Sequence, residues 1–269
     1  MKRLARRVGK AVLAAADLAL PRLRGPRILI YHQVGTDLRR EMEVGRQDFI
    51  AQLDWMQSRG RIVPFEVAVA ARRTEGAEKL HALTFDDGYR DVFEVAWPLL
   101  RERGLPFFLY LTTAPVESQK PLGHEQAQPL NWDQIGEMLA SGLLTLGSHT
   151  HTHPDLRHCT PSDVEREFAT SDEIITTRTS QQPRHFAYPW GYWSSVADRL
   201  TRMRYDTAAL GGPVTADPVV DDHLLYRLPV QRSDRGAIFR GRMRSGLRLE
   251  EALRRRVRKY APDMNGRSI

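Results

Sequence analysis

About seven times along this chain a short apolar run gives way to a helical pattern, and that alternation restricts the fold more than any other feature. The runs are Arg27–Val34, Ala82–Phe85, Pro106–Leu111, Leu143–Leu146, His185–Tyr188, Tyr205–Leu210 and Leu224–Val230, with a shorter one at Ile62-Val63. PFFLYL at Pro106–Leu111 is apolar throughout, as a strand covered by helices on both faces must be. Between the runs lie helices. Asp48–Arg59 puts Phe49, Leu53 and Met56 on one face and stops at Gly60. Asp91–Arg103 is kinked by Pro98. Asp133–Ala140 and Ser194–Met203 are shorter, and Thr160-Pro161-Ser162-Asp163 is a helix start with a cap, a first-turn proline and a carboxylate. Ala70–Lys79 and Ala114–Leu130 read as loops, and Ser233–Arg244 and Leu249–Tyr260 as basic closing helices. Strands separated by helices imply an α/β fold with a mostly parallel sheet, open or closed into a barrel. Such folds collect their chemistry at the carboxyl ends of the strands.

Two stretches sit at such ends. HALTFDDGYRD, His81–Asp91, runs a strand into two adjacent carboxylates and a glycine. Like charges side by side repel and Asp is disfavoured in strands, so a bound cation would explain the pair. Asp-Gly is also a common turn, and alone that reading is the better one. The second stretch is GSHTHTHPDL, Gly147–Leu156, with histidines at alternate positions after an apolar run. Together the two supply carboxylates and imidazoles sufficient for a metal site with an open position. His32, Asp86-Asp87, His149–His153 and Pro189-Trp190-Gly191 would then share one rim.

Composition sets the bounds. A chain of 269 residues suits one large α/β domain. The single cysteine, Cys159, allows no internal disulfide. The net charge of +7 comes largely from the ends, Met1–Lys10 and Arg240–Lys259. No aromatic residues interleave with those charges, so a single-strand nucleic-acid platform is not expected. The start, MKRLARRVGKAVLAAADLALP, loosely resembles a signal peptide, but Asp17 interrupts its short apolar run. A surface helix, or a basic helix making peripheral contact with an anionic membrane, fits it. The expected divisions are a basic segment over 1–26, the α/β domain over 27–245 and a basic helix and tail over 246–269. The expected location is the cytoplasm, at the inner membrane face, with export as the alternative.

TFDDG at Thr84–Gly88 and His149-Thr150 with His153 resemble the first two motifs of the polysaccharide deacetylases, the NodB-homology carbohydrate esterases. FAYPWG at Phe186–Gly191, RLPV at Arg227–Val230 and the opening YHQV at Tyr31–Val34 resemble further segments of the exopolysaccharide branch. The resemblance implies a distorted (β/α) barrel, a divalent metal, most often Zn2+, and removal of acetyl from an N-acetylated glycan or glycolipid precursor. It implies Asp87, His149 and His153 as metal ligands and Asp86 as general base. It implies an oxyanion contact from the Trp190 backbone and sugar contacts from Tyr188, Trp190 and His32. Three features depart from the pattern. Ala187 stands where many members carry an arginine that orients the base, leaving Arg184, Arg227 and Arg232 as substitutes. The late histidine that serves as general acid has no match, and His223, His151 and His32 are the candidates. YDTAALGG replaces a tryptophan-rich motif. An O-acetyl esterase, another barrel metallohydrolase and a catalytically weak glycan-binding protein are the competing readings.

Overall fold

The structure is a computed structural model, and it describes residues 9–10, 12–36, 40–122, 127–212 and 221–253. Seven parallel strands form its centre: β1 (Arg27–Tyr31), β2 (Leu80–Asp87), β3 (Phe107–Leu111), β4 (Leu144–Ser148), β5 (His185–Ala187), β6 (Thr207–Gly211) and β7 (Leu225–Pro229). Each pairs with its sequence neighbours, and β1 pairs with both β2 and β7, so the sheet closes into a barrel. The register sets Tyr31 opposite Phe85 on one side of β1 and Leu29 opposite Leu228 on the other. Arg61–Ile62 extends the sheet at the start of β2. Gln33–Val34 and Glu43–Val44 form a separate parallel pair beyond the end of β1.

The period-2 alternation of the strands divides the core. Ile28, Ala82, Phe108, Tyr110, Ala187, Ala209 and Leu225 form one cluster. Their neighbours Leu29, Leu83, Phe85, Leu109 and Leu228 belong to another, shared with Phe49, Leu53 and Met56 of the helix Arg46–Arg59. Gly60 ends that helix, though for a different reason from the expected left-handed stop. Its backbone is extended, and a Cβ there would stand 1.9 Å from the Lys79 carbonyl oxygen.

Pro98 acts as expected. Residues Val92–Ala96 are wound as a π-turn, and only Trp97–Glu102 is α-helical. Thr160 caps the helix Pro161–Thr179 through a complete capping box with Asp163. Two helices lie where the sequence reads as loop or unassigned. Phe65–Ala70 buries Phe65, Ala68 and Val69 against the interior cluster, and Thr113–Ser118 buries Pro115 and Val116. Both are only six residues long, too short for periodicity to reveal.

The basic N-terminus is not all solvated tail. Lys10 is 3% exposed, and its ammonium lies 2.5 Å from Asp234 Oδ1 and 3.0 Å from Gln231 Oε1. Asp234 also takes the guanidinium of Arg242 at 2.7 Å. Asp17 accepts the backbone N–H groups of Arg248 and Leu249, each at 3.1 Å. These contacts fasten residues that precede the barrel to the segment on both sides of the helix Ala237–Ser245. Lys10→Met should lower stability by about 1–3 kcal/mol, because a buried carboxylate loses a charged partner while keeping Arg242. Thermal melts of the two proteins check this. Residues 1–8 and 254–269, part of the two expected basic end segments, lie outside the described residues. No helix among the described residues is long and apolar enough to cross a membrane.

Candidate active site

β2 carries Ala82, Thr84 and Asp86 on the inner face by alternation. Asp87 should therefore face the helices with Phe85. Its φ of 74° breaks the alternation and turns its carboxylate across to β4. Asp87 Oδ1 comes to 3.5 Å from His149 Nε2 and 3.3 Å from His153 Nε2. Asp87, Thr150, His153 and Trp190 all have positive φ, four of the seven such non-glycine residues among those described. Left-handed backbone at a non-glycine costs of order 1–3 kcal/mol and gathers where function imposes it.

The three donor atoms fit a divalent cation. Asp87 Oδ1 is buried and has no hydrogen-bond partner, which leaves an uncompensated anionic acceptor between two imidazole nitrogens. The separations of 3.3 and 3.5 Å match the edge, about 3.4 Å, of a tetrahedron with ligand bonds of about 2.1 Å. His149 Nδ1 lies 2.8 Å from the Ala187 carbonyl and donates to it, which leaves the Nε2 lone pair turned to Asp87. Burial pushes the pKa of His149 and of His153 down to about 4, so both are neutral at pH 7, as ligands must be.

The loop between the histidines is pinned from two sides. Thr150 Oγ1 accepts the His153 backbone N–H at 3.1 Å. Glu167, from the helix Pro161–Thr179, accepts the N–H groups of His151 at 2.9 Å and Thr152 at 2.7 Å. Nothing in the sequence marks Glu167, which reads as one more carboxylate on a helix surface.

Asp86 is held differently. It is 4% exposed and paired on both oxygens with Arg227 of β7, Nη1–Oδ1 at 2.7 Å and Nη2–Oδ2 at 2.8 Å. Arg227 also donates to Thr84 Oγ1 at 2.9 Å and stacks over the Tyr110 ring at 4.7 Å. Burial drives the Asp86 carboxyl upward, but the Arg227 guanidinium, His149 and the hydrogen bonding from Arg227 together outweigh it, and the pKa falls to about 2. Of the three candidate arginines, Arg227 is the one that grips Asp86. Arg184 is exposed and paired with Asp206, and Arg232 meets Glu43 at 3.1 Å.

Several expected site residues stand elsewhere. Tyr188 is fully buried, its hydroxyl 3.2 Å from Thr201 Oγ1, so it packs the core and presents no ring to a sugar. His223 precedes β7 at the opposite end of the barrel, its Nε2 2.9 Å from the Tyr205 carbonyl oxygen, and cannot reach the Asp86 rim. His151 is on the rim, but its Nδ1 is engaged by Thr113 Oγ1 at 2.9 Å. Trp190 is where expected. It is 55% exposed, with its ring 5.0 Å from that of His153. Gly191 allows this loop to cross β6, since a Cβ there would stand 2.9 Å from the Gly211 backbone. His32 interrupts the chain between β1 and Gln33–Val34, partly buried, with its Nδ1 unpartnered. Its charged form would depress both Asp86 and His153, which sets it beside them.

A closed parallel barrel with this constellation at its carboxyl rim defines a class of hydrolase scaffold, and comparison with known proteins narrows it. The family model for polysaccharide deacetylase matches residues 73–208, half of the chain. YxkH of Bacillus subtilis (strain 168), itself assigned as a polysaccharide deacetylase, is 26% identical over 216 residues, covering 79% of this chain and 74% of that one. The poly-beta-1,6-N-acetyl-D-glucosamine N-deacetylase of Escherichia coli (strain K12) is 24% identical, over 62% of this chain but only 30% of that longer one. The structure of IcaB from Ammonifex degensii superposes with a TM-score of 0.68 at 26% identity, covering 78% of this chain and 94% of that one. The chain belongs to the polysaccharide deacetylase family.

Proposed function

We propose that this protein hydrolyses the acetyl group from an N-acetylated amino sugar in a polysaccharide or its lipid-linked precursor, with a divalent cation held by Asp87, His149 and His153. The observation that carries the reading is the orphaned Asp87 Oδ1, aimed between two neutral imidazoles and next to a carboxylate kept ionised by Arg227. A donor set of two nitrogens and one oxygen suits zinc and leaves a position open. When bound, such a cation would supply Lewis acidity toward a carbonyl and acidify a water molecule.

The chain's own residues supply the rest. Asp86, ionised at neutral pH, takes the proton of the attacking water. Arg227 holds that carboxylate ionised and in one orientation. The backbone N–H of Trp190 faces the developing oxyanion, and its exposed ring offers a flat apolar surface to a sugar. His32, on the rim with its buried Nδ1 unpartnered, returns a proton to the leaving amine. Relatives named for N-acetylglucosamine polymers support an acetylated glycan as substrate.

Acetate release from N-acetylglucosamine oligomers by zinc-loaded protein, with and without a chelator, tests the reading. The expected result is release that stops with chelator and returns with added metal. Metal-loaded protein that binds these glycans but frees no acetate would favour the glycan-binding alternative. Trp190→Ala should raise KM about tenfold with a smaller change in kcat, since a stacked ring contributes roughly 1 kcal/mol. Steady-state kinetics and a melting curve check it, and the exposed ring leaves the fold intact.

A further inference from the structure

At the other end of the barrel, away from Asp87, the starts of β1 and β2 open onto a cleft of about 1250 Å³. Among the described residues, nine arginine or lysine side chains line it, against two carboxylates. Arg22, Arg59 and Arg240 stand exposed at its rim, and no described residue pairs with them. Its floor is more unusual. Arg27 is 6% exposed, and its guanidinium is held by backbone carbonyls of Met243, Gly25 and Leu23 with no carboxylate bonded to it. His81 is 3% exposed, and neither ring nitrogen has a hydrogen-bond partner. A buried cation held by carbonyls, with Glu78 of the cleft wall acting on it only through space, and a buried imidazole without a partner are both costly in a folded protein. An anion in the cleft would relieve both.

We infer that this cleft is a binding site for the phosphate group of a small phosphorylated ligand. The Arg27 guanidinium and a His81 ring nitrogen meet the phosphate oxygens at the floor, and Arg59 and Arg240 close over them from the rim. Arginine suits this role because its planar fork matches phosphate oxygens. The floor groups are recessed, so a discrete ligand that enters fits better than a flat membrane surface. Among the described residues Trp55 is the one Trp, Tyr or Phe lining the cleft, which offers no stacking track for a nucleic acid. The site is separate from the deacetylation rim and does not depend on that reading.

The test is a calorimetric titration of inorganic phosphate into the full chain at low ionic strength, for the wild type and for Arg59→Ala/Arg240→Ala. Both substituted residues are exposed, so the double variant should melt like the wild type and release acetate at the same rate. The expected result is saturable binding to the wild type, weakened about tenfold or more in the variant, with the His81 ring resonances moving during the titration. Equal affinity in the two proteins, static His81 resonances, or no saturable binding would each overturn the proposal. Sedimentation with phosphatidylglycerol vesicles separates the sources. Vesicle binding that the double variant loses, without binding of free phosphate, would assign the cleft to a lipid surface and overturn the discrete site.

Discussion

Arg227→Met is expected to cut kcat by about two to three orders of magnitude and to move the acid limb of the pH–rate profile upward. The reason lies in what holds Asp86. Burial alone would raise its carboxyl above the ordinary value of 3.8, and the Arg227 guanidinium is the main force that takes it to about 2. Methionine keeps much of the volume and removes the charge. The carboxyl then rises, and the base is protonated over part of the neutral range. Stability should fall as well, by about 3–5 kcal/mol, because a carboxylate only 4% exposed is left without its partner. The sign of the pH dependence follows from the depressed pKa. The folded carboxyl titrates near 2 and the unfolded one near 3.8. The wild-type advantage is therefore complete above about pH 4 and is lost as pH falls from there toward 2. Melts of metal-free protein at several pH values should show the gap between wild type and variant widest above the variant's raised carboxyl pKa and closing as pH falls from there toward 2. A gap that stays constant down to pH 2 would show that Arg227 acts through packing and not through charge on Asp86. Arg227→Lys separates charge from geometry, since it keeps the cation but cannot grip both oxygens.

Much of this site was legible before the structure because its residues follow strand ends. Asp86-Asp87 and His149–His153 each come directly after an apolar run, and parallel α/β folds bring such positions to one rim. The closed barrel was less legible, since an open sheet and a barrel share the same alternation and differ only in whether β1 finds β7. The arginine was harder still. Arg227 lies in an apolar run, and its partner is 141 residues away. Only the missing arginine at Ala187 signalled that some guanidinium had to arrive from another strand. Tyr188 misled because an aromatic residue beside a site loop reads as a sugar contact. Strand alternation places it in the core instead, with its hydroxyl satisfied by Thr201. His223 misled because a histidine near the chain's end reads as a source for the missing acid. It precedes β7, whereas the rim is built at the carboxyl ends of the strands. Glu167 could not have been found from the sequence, because its role is to receive backbone N–H groups from a loop sixteen residues earlier.

Asp86→Asn separates an enzyme from a glycan-binding relative more sharply than any other change. Asparagine preserves the shape, but it carries no proton-accepting carboxylate, and a lost general base costs about 10² to 10⁴ in rate. Asp87, His149 and His153 are untouched, so zinc stoichiometry should stay at the wild-type level. Glycan affinity should also stay, since Trp190 and its loop do not depend on the carboxylate. The fold will register the change, because Arg227 is 1% exposed and loses its counter-charge. That prediction distinguishes a coupled pair from two independent residues. Asp86→Asn combined with Arg227→Met should melt higher than Asp86→Asn alone, since the second substitution removes the charge that the first one orphaned. Acetate release that persists in Asp86→Asn would assign the base elsewhere. Loss of zinc in that variant would instead place Asp86 among the ligands, against the geometry in which both of its oxygens belong to Arg227.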